Sequence, residues 1–263
     1  MTTQDQELDA VVVTGAGRGI GRAVALALGA RSIPILCVSK TPTAEATRDN
    51  IRATGGIADS LIVDLADASA AHAAIRAWIS ARPYRRLGAV LAAGVLGPRG
   101  PLLGSQLTQW NSTFAVNVVG NLAVVEALLD RMLEARTGRI VFLAGGGAAY
   151  AYPIFPAYAC SKAALVRAAE NLHEDLCAAG DFSIVCVAPG AVDTDMLDEV
   201  RAAGAEVRTT APIVEAVGFI TAFLRSPSTS LSGRFVHVRD SWGDVLGGIS
   251  VLGPDHWKLR RVE

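Results

Sequence analysis

Excess charge of either sign is missing from this sequence: 24 Lys and Arg stand against 25 Asp and Glu, a formal net charge of -1. That balance offers no basic field to a nucleic acid or an anionic membrane, so neither is expected as a partner. Cysteine is scarce. Cys37, Cys160, Cys177 and Cys186 form no CxxC pair and no Cys/His group with zinc spacing, so no metal site is expected. They read as small apolar side chains in a reducing compartment. No unbroken apolar run reaches membrane-spanning length. Residues 1–10 are polar and acidic, unlike a secretion signal. These absences point to a cytoplasmic location. With no repeat, linker or low-complexity tract, residues 1–263 read as one domain, with a core over about 10–239 and a C-terminal extension over about 240–263.

What is present is a regular alternation. Short apolar runs at 10–14, 33–38, 58–63, 87–92, 139–143, 183–188 and 234–238 read as seven strands. Helical patterns at 20–30, 43–53, 69–80, 106–134, 157–179 and 212–224 lie between them, and 144–156 reads as a loop. Such alternation predicts right-handed βαβ units, hence an α/β chain with a Rossmann-type, doubly wound parallel sheet.

The turn after the first strand reads Thr14-Gly15-Ala16-Gly17-Arg18-Gly19-Ile20-Gly21. Gly15, Gly19 and Gly21 permit positive φ and let backbone amides and a helix N-terminus approach a pyrophosphate. The strand–turn–helix setting makes this a dinucleotide-binding signature. An acidic residue ending the second strand would hold a ribose 2′-hydroxyl and repel a 2′-phosphate. Here that strand ends Cys37-Val38-Ser39-Lys40, without a carboxylate. Ser39, Lys40 and Arg18 can all serve a 2′-phosphate, so NADP(H) is expected in preference to NAD(H). Asp64, followed by Leu65, is placed to accept from an adenine amino group, while Asp67 and Ser69 are better placed to cap the next helix.

These motifs and others downstream resemble the short-chain dehydrogenase/reductase family over residues 10–239. Thr14 to Gly21 matches the family's TGxxxGxG turn, and Asp64 its adenine-contacting Asp. Leu91-Ala92-Ala93-Gly94 stands where the family carries Asn-Asn-Ala-Gly, so only Ala93 and Gly94 survive. Asn117 matches the helix Asn, and Tyr158 with Lys162 the YxxxK pair. Pro189, Gly190, Val192 and Thr194 match the turn on the nicotinamide side, and Ser232-Gly233-Arg234 the turn before the last strand. The resemblance implies an oxidoreductase that passes hydride between a nicotinamide and a carbonyl/alcohol pair. It also implies a homodimer or homotetramer built through 106–134 and 157–179.

Tyr158 and Lys162 are four residues apart, one turn along a helix face. Hydride transfer to a carbonyl makes an alkoxide, to which a phenol can give its proton. A free phenol titrates near ~10, so the Lys162 ammonium and an oxidised nicotinamide are expected to favour the phenolate. Tyr158 is then general acid in reduction and base in oxidation. The resemblance gives Lys162 the nicotinamide ribose to hold, and Asn117 the support of a water chain to Lys162.

One member of the family set is missing. The family places a Ser thirteen residues before the Tyr, where its hydroxyl polarises the substrate carbonyl; here that position is Gly145. Residues 144 and 146–149 also lack hydroxyls. Three readings follow: Tyr150 or Tyr152 (or the substrate) supplies the donor; the substrate is an imine or conjugated bond needing less polarisation; or redox chemistry is lost and the chain is a non-redox enzyme or an auxiliary subunit. The substrate pocket is expected above the C-terminal sheet edge, walled by 94–104, 144–155 and 193–212. With its small residues and Tyr150, Tyr152 and Phe155, it suits a medium or bulky, largely apolar small molecule. The extension carrying Trp242 and Trp257 is read three ways: covering a neighbouring subunit, covering the pocket rim, or packing on its own chain.

Overall fold

The computed structural model describes residues 7–207 and 209–261, so most of the polar start lies outside the described residues. Its strands are β1 (Ala10–Thr14), β2 (Ile35–Ser39), β3 (Ala58–Ile62), β4 (Leu87–Leu91), β5 (Thr137–Leu143), β6 (Asp181–Ala188) and β7 (Arg234–His237). They form one seven-stranded sheet in the order β3-β2-β1-β4-β5-β6-β7, parallel throughout. This is the expected Rossmann-type arrangement, and its strand order reverses between β1 and β4.

The strand side chains explain the layers. Successive residues of a strand point to opposite faces. In β1, Val11 and Val13 enter one core while Ala10 and Val12 enter the other. Val141 and Leu143 of β5 oppose Ile140 and Phe142 in the same way. Because both faces are covered, these strands are apolar on consecutive residues, 10–13 and 140–143, rather than alternately. Helices α1 (Gly19–Gly29), α2 (Thr43–Ala53) and α8 (Ile213–Arg225) cover the first face. The second is covered by α3 (Ala68–Ser80), α5 (Asn121–Ala135) and α6 (Pro156–Leu176).

Two stretches differ from the sequence reading. First, 106–134 is not one regular helix: α4 (Leu107–Phe114) passes through a π-helical turn (Ala115–Gly120) into α5. A Cβ on Gly120 would lie 2.2 Å from the Leu65 carbonyl oxygen, so the chain passes too close there for any side chain. The 29-residue stretch Leu107–Ala135 is also long and apolar enough by composition to cross a membrane. A search for unbroken apolar runs misses it because Asn117, Asn121, Glu126 and Asp130 interrupt it; in the fold it packs on α3 and the sheet. Arg76–Asp130 and His72–Glu126 pairs tie α3 to α5.

Second, α7 (Asp195–Ala202) occupies part of 193–212, where the sequence reading places no helix. Its signals are short but present: Thr194 at the N-cap, Asp195 and Asp198 in the first turn, and Arg201 in the last. The extension packs on its own chain, one of the three readings open from its sequence. Trp242, in the short α9 (Trp242–Leu246), meets Phe219 of α8 edge-on at 5.2 Å. Phe235 N on β7 donates to the Trp257 carbonyl (2.7 Å), which covers that strand's outer edge. Glu170 of α6 pairs with Arg260 and Arg167, and Lys258 Nζ lies 3.7 Å from it. Cys37 and Cys186 are buried, and Cys160 and Cys177 are exposed; all four are free thiols.

Candidate active site

All the strands run the same way, so every loop that leaves a strand's C-terminal end opens on one edge of the sheet. Gly15 and Gly19 take left-handed φ of +64° and +54°. Gly21 does not, contrary to expectation. It is needed for proximity: a Cβ there would lie 2.4 Å from the Gly15 carbonyl oxygen. Helix α1 opens at Gly19-Ile20-Gly21 with no side-chain cap and no acidic residue in its first turn. Its first amides therefore present partial positive charge without a side-chain partner, the property a pyrophosphate needs. Across the turn, Thr194 Cγ2 stands 3.3 Å from a Cβ built on Gly19. The two segments expected to enclose a dinucleotide are thus adjacent. Pro189 and Gly190 directly follow β6, Gly190 has φ +76°, and Val192 forms a bridge with Ala211.

At the adenosine end, Ser39 closes β2, where its Oγ donates to the Thr41 carbonyl and accepts from Ala44 N (3.3 Å). Lys40 Nζ lies 2.8 Å from Asp64 Oδ2, and Ala66 N donates to Asp64 Oδ1 (3.0 Å). Lys40 first, then the Ala66 amide, hold the Asp64 carboxyl below the usual carboxylate range. Asp67 caps α3 through Ala70 N, as expected. Leu65 is 5% exposed, its side chain in the core between sheet and helices. Arg18 turns away from Ser39 and pairs with Asp195 at the start of α7 (2.9 Å, both exposed).

The reacting groups meet at the ends of β4 and β5. Lys162 is buried on α6, its Nζ donates to the Leu143 carbonyl (2.7 Å), and it lies 5.4 Å from the Tyr158 ring centroid. A Cβ on Gly94 would be 3.4 Å from that Nζ and 3.3 Å from Asn117 Oδ1. Asn117 is fully buried. Its Oδ1 accepts from Val95 N (2.8 Å), and its Nδ2 donates to the Val95 carbonyl (2.9 Å) and to Ser161 Oγ (2.9 Å). Its amide thus clamps the loop after β4, work the sequence did not reveal. A neighbouring clamp was missed altogether. Thr14 Oγ1 donates to Asn121 Oδ1 and accepts from Ala93 N, while Asn121 Nδ2 donates to the Ala93 carbonyl. Its only sequence signal is the i, i+4 spacing of Asn117 and Asn121, which any solvated helix could show.

Gly145 stands where alignment places it. A Cβ there would sit 3.4 Å from Tyr158 Oη and 3.9 Å from its ring, ordinary contact distances, on extended backbone with φ 173°. Of the two aromatic alternatives, Tyr150 is 79% exposed. Tyr152 is half-buried, packs on Phe155 (5.9 Å between rings) and shares an apolar cluster with Tyr158.

Electrostatics correct one expectation. Burial pushes the Tyr158 phenol up to about 12, and the neighbouring Tyr152 oxygen adds to the rise. Burial likewise takes Lys162 down to about 8, slightly opposed by Cys186. The rise comes from burial, and the Lys162 ammonium, which faces the Leu143 carbonyl, is not among the groups that shift Tyr158. An ultraviolet titration checks this. Wild type and Tyr158→Phe should give the same phenolate absorbance up to about pH 10, where free phenols ionise. An excess in the wild type at lower pH would contradict the burial effect.

Glycine turn, uncapped helix, clamped β4 loop and Tyr–Lys pair on one sheet edge define a dinucleotide-binding α/β oxidoreductase. The short chain dehydrogenase family model matches residues 9–205, and the chain belongs to that family. It is 32% identical over 191 residues to the 2,3-dihydro-2,3-dihydroxybenzoate dehydrogenase of Bacillus subtilis, covering 70% of each chain. It is 32% identical over 195 residues to the 3-oxoacyl-[acyl-carrier-protein] reductase of Aggregatibacter actinomycetemcomitans, covering 73% of this chain and 79% of that one. Among solved structures it resembles a Beutenbergia cavernae protein, provisionally assigned as an NAD(P)-dependent gluconate 5-dehydrogenase and carrying NADP at low occupancy. The TM-score is 0.81 at 27% identity, over 89% of this chain and 96% of that one. An NAD+-bound xylitol dehydrogenase shares the fold, with TM-score 0.80 at 21% identity, over 88% and 98%.

Proposed function

We propose that this protein is an NADP(H)-dependent reductase or dehydrogenase of a carbonyl/alcohol pair, working as a cytoplasmic homodimer or homotetramer. The observation that carries the reading is the placement of Tyr158 Oη and Lys162 Nζ beside Gly145 and Gly94, on the sheet edge where α1 opens uncapped. The turn 15–21, Ser39, Lys40, Asp64, Ala93, Gly94 and the segment 189–194 would hold the dinucleotide. Bound there, it supplies or takes up the hydride.

Tyr158 holds the proton that the nascent alkoxide takes in reduction; oxidation, the reverse step, starts from its phenolate. Its high pKa keeps it protonated over the working range, the state reduction needs. Lys162, fixed to the Leu143 carbonyl, orients the cofactor side, and Asn117 holds Val95 and with it the loop that faces Lys162. Tyr152 replaces the absent serine as the donor that polarises the substrate carbonyl. Burial raises its pKa also, so it remains a donor. The preference for the 2′-phosphorylated cofactor rests on the carboxylate-free end of β2 and on Lys40. Exposed apolar side chains on the π-turn and α5, Val119 and Leu133, support association through that face.

A second reading, in which carbonyl reduction is lost or replaced, is favoured by one observation: the space beside Tyr158 Oη at Gly145 carries no hydroxyl of its own residue. A dinucleotide titration tests the shared first step. Tryptophan fluorescence should report NADPH binding about tenfold tighter than NADH, a difference of ~1.4 kcal/mol. Ser39→Asp should reverse that order, because a carboxylate there repels the 2′-phosphate. Equal affinities in wild type and variant would refute the cofactor assignment, and no binding of either would refute the oxidoreductase reading.

A further inference from the structure

An open cleft of about 430 Å³ lies beside the reacting groups, between the loop after β4 and the last turn of α7. Leu96, Phe155 and Ala203 line its apolar side, in the same cluster that Tyr152 and Tyr158 join. Val95, whose backbone Asn117 clamps, connects it to Gly94 and so to Lys162. Two charged residues line it, Arg99 and Glu199. They do not pair with each other, and among the described residues the Arg99 guanidinium has neither a carboxylate partner nor a hydrogen bond. Arg99 Nη2 reaches towards the far wall, 3.9 Å from a Cβ built on Gly204. Arg201, on the same helix as Glu199, spends its guanidinium on Asp193 and Asp198 (2.7 and 3.0 Å).

We infer that Arg99 is a substrate-specificity residue that binds a carboxylate, making the substrate an apolar carbonyl compound with a single carboxylate group. This rests on the oxidoreductase reading above and deepens it. A guanidinium presents a planar fork of donors that matches a carboxylate two-to-two, and Arg99, exposed in the open cleft, keeps that fork free of partners among the described residues and available to a ligand that displaces its water. The apolar side chains take the body of the molecule, whose carbonyl points towards Tyr158. Glu199 on the rim limits the charge: one carboxylate is neutralised by Arg99, while a second anionic group would meet a like charge.

The test uses aliphatic oxo acids of increasing carbonyl–carboxylate separation, each beside its methyl ester, with NADPH. Wild type should favour one acid over its ester through KM. Arg99→Gln should raise that acid's KM by about ten- to a hundredfold, the scale of a charge-assisted hydrogen-bonded contact. It should leave kcat and the ester's KM unchanged, and Arg99→Lys should recover part of the loss. Equal KM for acid and ester in the wild type overturns the inference, as does a loss in Arg99→Gln that falls equally on both. If the wild type oxidises NADPH with no acid and no ester, the redox reading fails on its own. Calorimetry on the NADPH complex then decides the carboxylate site: hexanoate should bind the wild type and not Arg99→Gln, and no uptake by the wild type overturns it.

Discussion

Tyr158→Phe should lower kcat for carbonyl reduction by about 10²–10⁴-fold, the usual contribution of a positioned proton donor. NADPH affinity, read by fluorescence, should stay close to that of the wild type. The substitution removes one oxygen from a half-buried ring that remains packed with Phe155 and Leu96. Lys162 keeps its bond to Leu143, since nothing in that bond involves the phenol. The loss should therefore fall on chemistry alone. A variant that turns over at the wild-type rate would remove Tyr158 from the proton path, whatever its place beside Gly145.

The second large effect concerns the missing serine. Tyr152→Phe should cost about 10²–10³ in kcat, the loss typical when one oxyanion donor is deleted. Adding Gly145→Ser to that variant should restore most of it. The backbone at 145 is extended, and a Cβ makes only ordinary contact with Tyr158 Oη, so a serine enters without strain. Its hydroxyl would stand next to the phenol. Measuring kcat for both single variants and the double variant closes the cycle. A neutral Tyr152→Phe, together with a silent wild type that Gly145→Ser activates, would discard Tyr152 as donor and favour the reading of altered chemistry.

The layered α/β architecture was legible because it rests on local patterns. Runs such as 10–13 can be apolar at every position only if both faces of the strand are covered, and their alternation with helices leaves few topologies. The glycine turn was legible for a similar reason, since Gly15 and Gly19 hold backbone shapes that most side chains resist. At Gly21 the constraint is the Gly15 carbonyl six residues back in the same turn, a close approach and not a torsion. The π-turn could not be read from local pattern, and the close approach it accompanies, Gly120 to Leu65, joins positions 55 residues apart in the chain. α7 was hidden by its eight-residue length, too short for periodicity to rise above a polar loop.

Residue identity alone determined which groups this protein has for its chemistry: a phenol and an amine one helical turn apart, a strand end without a carboxylate, and no hydroxyl at position 145. Folding alone decided what those groups experience. Burial raised the Tyr158 phenol and lowered the Lys162 amine, Asp64 captured Lys40, Asp195 captured Arg18, and Arg99 was left beside an apolar cleft with no partner among the described residues. Spacing along a chain is a local property. Desolvation and charge pairing act through space between segments far apart in sequence, and they exist only once the sheet has brought its loops to a common edge.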